Sequence, residues 1–155
     1  MVTSLRPVRA ADTDALIRLI ADVYREYGDA LRLDENPFLA DAGAFFREGG
    51  GEFWVVADNE RVVGACGLLM HADAGEITSL YVDAAERGHG WGALLVLEAI
   101  AHTVNAGRDR LYLFSDVRFA SAHRLYRRLG FKEMPGRRAL GDSLHSIEIA
   151  FVLDI

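Results

Sequence analysis

With 155 residues, 51% of them hydrophobic and 26% charged, the chain has the make-up of one folded domain able to bury a core, not of a disordered tail. A net charge of −6 and a pI near 5.3 weigh against a general nucleic-acid binder, which needs a basic face, and lean weakly towards a cationic or amine substrate. Cys66 is the sole cysteine, so no internal disulfide or cysteine-built metal site can form. The apolar run around it (Val62 to Met70) makes it a small buried hydrophobe.

In chain order, Ser4 to Arg9 alternates in the manner of a short edge strand that tolerates Pro7. Asp12 or Thr13 can cap a helix whose apolar stripe runs through Leu16, Ile20, Val23 and Tyr27 and which stops at Gly28. Asp29 to Pro37 is irregular and acidic. Phe38 to Arg47 forms a weaker helix closed by Gly49-Gly50-Gly51. Phe53 to Ala57 and Val62 to Met70, joined by Asp58-Asn59-Glu60-Arg61, predict an antiparallel hairpin, and Glu76 to Val82 a third strand of the meander. The next helix is apolar at Leu94, Leu97, Ala101 and Val104, carries Glu98 and His102 on its polar side and stops at Gly107. Leu111 to Phe114 reads as a central strand, and Ala122, Leu125, Tyr126 and Leu129 as one helical stripe ended by Gly130. Phe131 starts another strand, Pro135 to Ser143 a polar loop, and Ile147 to Ile155 a last strand. The fold class that follows is α+β: a mixed, mostly antiparallel sheet of about seven strands with about four helices, in a single domain over 1–155.

The stretch that organises the chain is Arg87-Gly88-His89-Gly90-Trp91-Gly92, between the strand ending at Val82 and a helix. Alternate glycines let backbone approach a ligand closely, and the first N–H groups of the helix face that space with the positive end of its dipole. This is a seat for an anion such as phosphate, with Arg87 adding fixed charge. His89 and Trp91 are shape and packing residues of the loop. A bare glycine-rich turn that binds nothing is the competing interpretation of the loop alone.

Two stretches together resemble the GNAT superfamily of acetyl-CoA-dependent N-acetyltransferases. Arg87-Gly88-His89-Gly90-Trp91-Gly92 matches the Gln/Arg-x-x-Gly-x-Gly/Ala signature for acyl-CoA, and Ala122-His123-Arg124-Leu125-Tyr126-Arg127-Arg128-Leu129-Gly130-Phe131 matches Ala-x-x-Leu-Tyr-x-x-x-Gly-Phe. Two positions depart from the pattern: Ala84 stands where proline is frequent, and Phe119 where asparagine contacts the cofactor arm, with Ser115 or Asp116 as candidate substitutes.

The resemblance implies acetyl-CoA as co-substrate, its pyrophosphate on the backbone of Gly88 to Gly92 with Arg87. The pantetheine arm would lie along Leu80, Tyr81 and Val82, with an N–H near Leu80 donating to the thioester oxygen. Tyr126 is the implied general acid, since a phenol is protonated at neutral pH. Glu76 is the candidate base, with Asp116 and His71 behind it. The acceptor expected is a primary amine of a small molecule or peptide, attacked in a ternary complex. Acetylation of a protein terminus or side chain, and a non-catalytic acyl-CoA sensor, are the alternatives. Homodimers are common among proteins of this kind. The five histidines lack metal-site spacing, so no metal is expected. Neither a leader-like apolar core in residues 1–10 nor a run of roughly 20 apolar residues occurs, so a cytoplasmic chain without nucleic-acid or membrane partners is expected.

Overall fold

Pro7 lacks a backbone N–H, and the strand that holds it, β1 (Thr3–Pro7), accordingly lies at the sheet edge against β2 (Glu52–Asp58). The computed structural model describes residues 2–59 and 61–155; Met1 and Glu60 of the expected hairpin link lie outside them. From β2 the sheet continues through β3 (Arg61–Met70), β4 (Gly75–Val82), β5 (Arg110–Asp116) and β8 (Ile147–Asp154). Two short strands, β6 (Lys132–Glu133) and β7 (Arg138–Ala139), both pair with β8, and β7 lies inside the stretch expected to be loop. Every pairing is antiparallel except β4 with β5.

Helices α1 (Thr13–Glu26) and α2 (Ala42–Glu48) cover one face, burying Leu16, Leu19, Ile20, Val23 and Phe46 against Phe53, Val55 and Ala65. Each of those large side chains contributes about 1.5–3 kcal/mol by leaving water. Helices α3 (Trp91–Asn105) and α4 (Ala120–Arg128) cover the other face with Leu95, Val96, Ala99 and Tyr126. Asp12 does not cap α1 directly. Its carboxylate takes both Arg6 guanidinium nitrogens at 2.8 and 2.9 Å and the Arg9 N–H at 2.7 Å, locking the turn before the helix onto β1.

Two expectations are corrected. Leu94, Leu97, Ala101 and Val104 form the exposed side of α3, and its buried side is Leu95, Val96, Ala99 and Thr103. The helix is apolar almost all round, so periodicity alone cannot choose a face. Tyr27 lies just past α1, where its ring meets Phe119 edge-on at 4.8 Å instead of joining the core stripe.

The site is created by one irregularity. Ser79 pairs with Gly67 and Ile77 with Leu68, leaving Thr78 as an extra residue that bends β4. β4 and β5 then pair only from Gly75 to Ile77, while β5 stays bonded to β8 along its full length. Beyond Ile77 the two parallel strands part, and the sheet carries an opening at its centre.

Candidate active site

Two clefts meet at this opening. The first, about 550 Å³, runs from the glycine loop between α3 and α4 and is lined by Val82, Gly88, Gly90, Gly92, Ala122 and Arg128 among others. The second, about 320 Å³, lies on the α1 face and includes Tyr24, Phe38, Thr78, Ser79, Ser115 and five carboxylates. Tyr27, Leu80, Tyr81, Phe119 and Tyr126 belong to both walls.

The loop is built to present backbone. Gly88 and Gly90 have φ of +84° and +86°, which a side chain would strain, and open space surrounds both. Gly90 precedes α3 without a side-chain cap, so the first N–H groups of the helix stay free. Asp83 steadies the approach: its carboxylate accepts the Ala85 N–H at 2.9 Å and its own N–H bonds the Val63 carbonyl at 2.8 Å. The His89 ring bonds the Glu86 carbonyl at 2.9 Å, and Trp91 packs against the α3–α4 core.

Arg87, expected to add charge at the loop, lines this cleft with its charge already paired. Its guanidinium grips both Glu26 oxygens at 2.6 and 2.7 Å and reaches the Val82 carbonyl, tying the loop to the end of α1. The cation left open along this cleft is Arg128, which has no side-chain partner among the described residues. Its signal in the sequence was its position three residues after Leu125 and seven after Ser121, which puts the three on one face of α4, the face that lines this cleft.

Along β4, one backbone edge pairs with β3 up to Val82, whereas beyond Ile77 the other edge has lost β5. The Leu80 to Val82 segment therefore has an edge that no strand pairs, open to an added strand except at the Val82 carbonyl, which Arg87 takes. Tyr126 stands beside it, 4% exposed, its ring 5.4 Å from Phe151 and 5.8 Å from Phe131. Burial, with a smaller contribution from Cys66, pushes its phenol far above the ordinary value, so it is a permanent hydrogen-bond donor. Tyr81 is raised in the same way by burial and by Tyr24.

Glu76 is not brought to the junction. It lies where β4 and β5 are still paired, lines neither cleft, and holds the His71 ring at 2.8 Å and the Tyr112 hydroxyl at 3.3 Å. His71 is occupied by the same contact. Asp116 is held by the backbone and side chain of Arg118 at 2.8 and 2.9 Å. The Ser115 hydroxyl lies 3.0 Å from His123 Nε2, so neither candidate for the missing asparagine is free. Phe119 supplies an apolar wall to both clefts in its place.

Residues 14–131 match the sequence profile of the Acetyltransferase (GNAT) family. The chain belongs to this family of acetyltransferases. It is 34% identical over 110 residues to mycothiol acetyltransferase of Thermobispora bispora, a match covering 66% of this chain and 34% of that protein, so the chain spans about a third of that curated relative. It is 29% identical over 138 residues to aminoalkylphosphonate N-acetyltransferase of Salmonella typhimurium, covering 85% of this chain and 86% of that protein. Among solved structures, a GNAT-family acetyltransferase from Staphylococcus aureus Mu50 superposes with a TM-score of 0.86 at 21% identity, covering 99% of both chains. The PaiA N-acetyltransferase of Thermoplasma acidophilum, solved in complex with coenzyme A, gives 0.77 at 15% identity, covering 100% of both. At those identities the likeness establishes a shared fold, and this GNAT chain has the family's α+β architecture with four helices on a mixed sheet.

Proposed function

We propose that this chain transfers the acetyl group of acetyl-CoA to the primary amine of a small molecule by direct attack in a ternary complex. The observation that carries this is the meeting of two clefts at Leu80, Tyr81 and Tyr126, where β4 and β5 part. A donor entering from the glycine loop and an acceptor entering from the α1 face would meet there, with the two reactants held in place of a random encounter.

The free N–H groups after Gly90, with Arg128, would hold the pyrophosphate, and the free edge of Leu80 to Val82 the pantetheine amides. An N–H of that edge would donate to the thioester oxygen as charge develops there. Tyr126 would donate a hydrogen bond to the departing sulfur. Since its phenol lies far above an ordinary thiol near 8.5, it stabilises the thiolate while keeping its own proton.

The acceptor cleft favours a cationic amine with an apolar body. Its wall carries Asp29, Glu35, Asp116, Asp142 and Glu148 against Arg32 and Arg118, alongside Tyr24, Tyr27, Phe38 and Phe119. Two contacts cross it, Arg118 to Asp29 at 2.9 Å and the Ser143 N–H to Glu35 at 3.2 Å, which limits it to small acceptors over a folded protein's terminus. An anionic phosphonate, as in the name of the Salmonella relative, suits this wall less.

The test is coenzyme A release from acetyl-CoA with 2-phenylethylamine, tyramine, spermidine and an aminoalkylphosphonate, with product mass as the second readout. Acetylation of the aromatic amines ahead of the phosphonate is expected. Saturable acetyl-CoA binding with no release under any amine would instead make the chain an acyl-CoA sensor.

A further inference from the structure

Ser115 and His123 form a buried polar pair that the reaction outlined above leaves unused. Ser115 lies on β5 beyond the last residue paired to β4 and is among the residues that line the acceptor cleft. His123 sits one helical turn before Tyr126 on α4, its ring 5.1 Å from that of Phe151. Both residues are buried, and Ser115 Oγ is 3.0 Å from His123 Nε2. The Asp116 backbone also favours the protonated ring. In the tautomer with the proton on Nδ1, the Nε2 lone pair accepts the Ser115 hydroxyl proton.

The surroundings keep this imidazole neutral. Burial pushes it below its ordinary value, and Arg127 of α4 acts in the same direction. The Asp116 backbone, second only to burial, opposes this, as do the Glu133 and Asp116 carboxylates more weakly, and Tyr126 on the same helix carries no charge. The carboxylates of the acceptor cleft, by contrast, are all engaged: Asp29 and Asp116 by Arg118, Glu148 by Arg138, Glu35 by the Ser143 N–H and Asp142 by Ser146.

The geometry points to Ser115 as the group that takes the proton of the acceptor amine, with His123 as the relay behind it. This rests on the acetyl transfer proposed above. The ammonium first gives one proton to solvent; as the neutral amine nitrogen then bonds to the thioester carbon, its N–H proton passes to Ser115 Oγ and the Ser115 hydroxyl proton passes to His123 Nε2. The C–S bond breaks and sulfur leaves as a thiolate hydrogen-bonded by Tyr126. The imidazolium returns its proton through Ser115 and solvent to the thiolate. Amide, thiol and neutral imidazole remain, and the count of protons closes. Ser115 is then the catalytic residue and His123 acts through it.

Wild type, Ser115→Ala, Ser115→Thr, His123→Gln and the Ser115→Ala/His123→Gln double variant are compared by coenzyme A release, using the amine that gives the fastest release. The pH is varied across the imidazole range, and coenzyme A affinity is measured alongside. Each of Ser115→Ala and His123→Gln is expected to lower kcat about 100-fold or more and to remove the acid limb of the pH profile, with coenzyme A affinity unchanged. The double variant falls no further than the singles, because one relay is lost either way, and Ser115→Thr restores most of the rate. Independently of any acceptor, ¹⁵N NMR is expected to find His123 neutral with its proton on Nδ1. A proton on Nε2, or a Ser115→Ala kcat within about threefold of wild type, overturns the relay. An active wild type with unaffected variants sinks the relay alone. A wild type that binds acetyl-CoA but acetylates no amine sinks the transfer itself, and the NMR result then decides whether the pair exists. Where His123→Gln fails to fold, the two Ser115 variants and the NMR measurement decide.

Discussion

Gly90→Ala tests the loop with little steric ambiguity. Gly90 has φ of +86° and no other atom lies within 4 Å of where a Cβ would stand, so size plays no part and only backbone conformation is probed. An L-residue held there costs about 1–2 kcal/mol. In a chain of this length that corresponds to roughly 2–8 °C in melting temperature. Relaxing the strain turns the peptide planes that precede α3, which redirects the N–H groups offered to an anion. Each charge-assisted hydrogen bond is worth about 1.5–3 kcal/mol, so losing one lowers coenzyme A affinity by roughly 10- to 100-fold. Gly107→Ala is the matched control: φ is +78°, open space again surrounds the site, and it lies past the opposite end of α3. Both variants are measured by thermal unfolding and by calorimetric titration with coenzyme A. Both should lose similar stability, and only Gly90→Ala should lose affinity. Coenzyme A binding by Gly90→Ala within about threefold of wild type would refute the anion seat at this loop.

Three other outcomes are expected. Tyr126→Phe should lower kcat by about 100-fold, as loss of one preorganised donor does, with KM for acetyl-CoA unchanged; steady-state kinetics checks this, and an unaltered kcat reduces Tyr126 to packing. Glu26→Gln should weaken the grip on Arg87 and so tighten coenzyme A binding, more at low salt than at high salt; looser binding would show that Glu26 orders the loop. Asp12 is held below the usual carboxylate range, first by Arg6 and then, against a counteracting burial effect, by the Arg9 N–H. Its stabilisation is present above the unfolded value near 3.9 and is lost as pH falls through the lower folded value. Denaturant unfolding should thus find Asp12→Asn less stable than wild type near neutrality, with the gap narrowing in acid.

Where one face of an element is polar, the chain itself says which side turns inward. Leu16, Ile20 and Val23 on α1 are buried as their spacing predicts, and the meander of β2, β3 and β4 follows from three β-rich runs separated by short polar links. The Gly88 and Gly90 positions were legible for a similar reason, because a loop needing positive φ leaves glycine in the sequence. α3 was not legible. Leu94 and Leu97 differ in no intrinsic way from Leu95 and Val96, and only the sheet behind the helix selects among them.

The candidate site divides in the same way. The glycine loop and the place of Tyr126 are local features, set by glycines and by a helical stripe, and the sequence alone determined them. What the tertiary structure decided is which side chains are free to act. Arg87 is engaged by Glu26 across 61 residues of chain, and Glu76 stays beside Tyr112 because β4 and β5 have not yet parted there. His123 meets Ser115 only because α4 folds back over β5. A hydrogen bond between distant segments has no periodicity to announce it. The extra residue at Thr78, beyond which β4 and β5 part, exists only in the register of one strand against another.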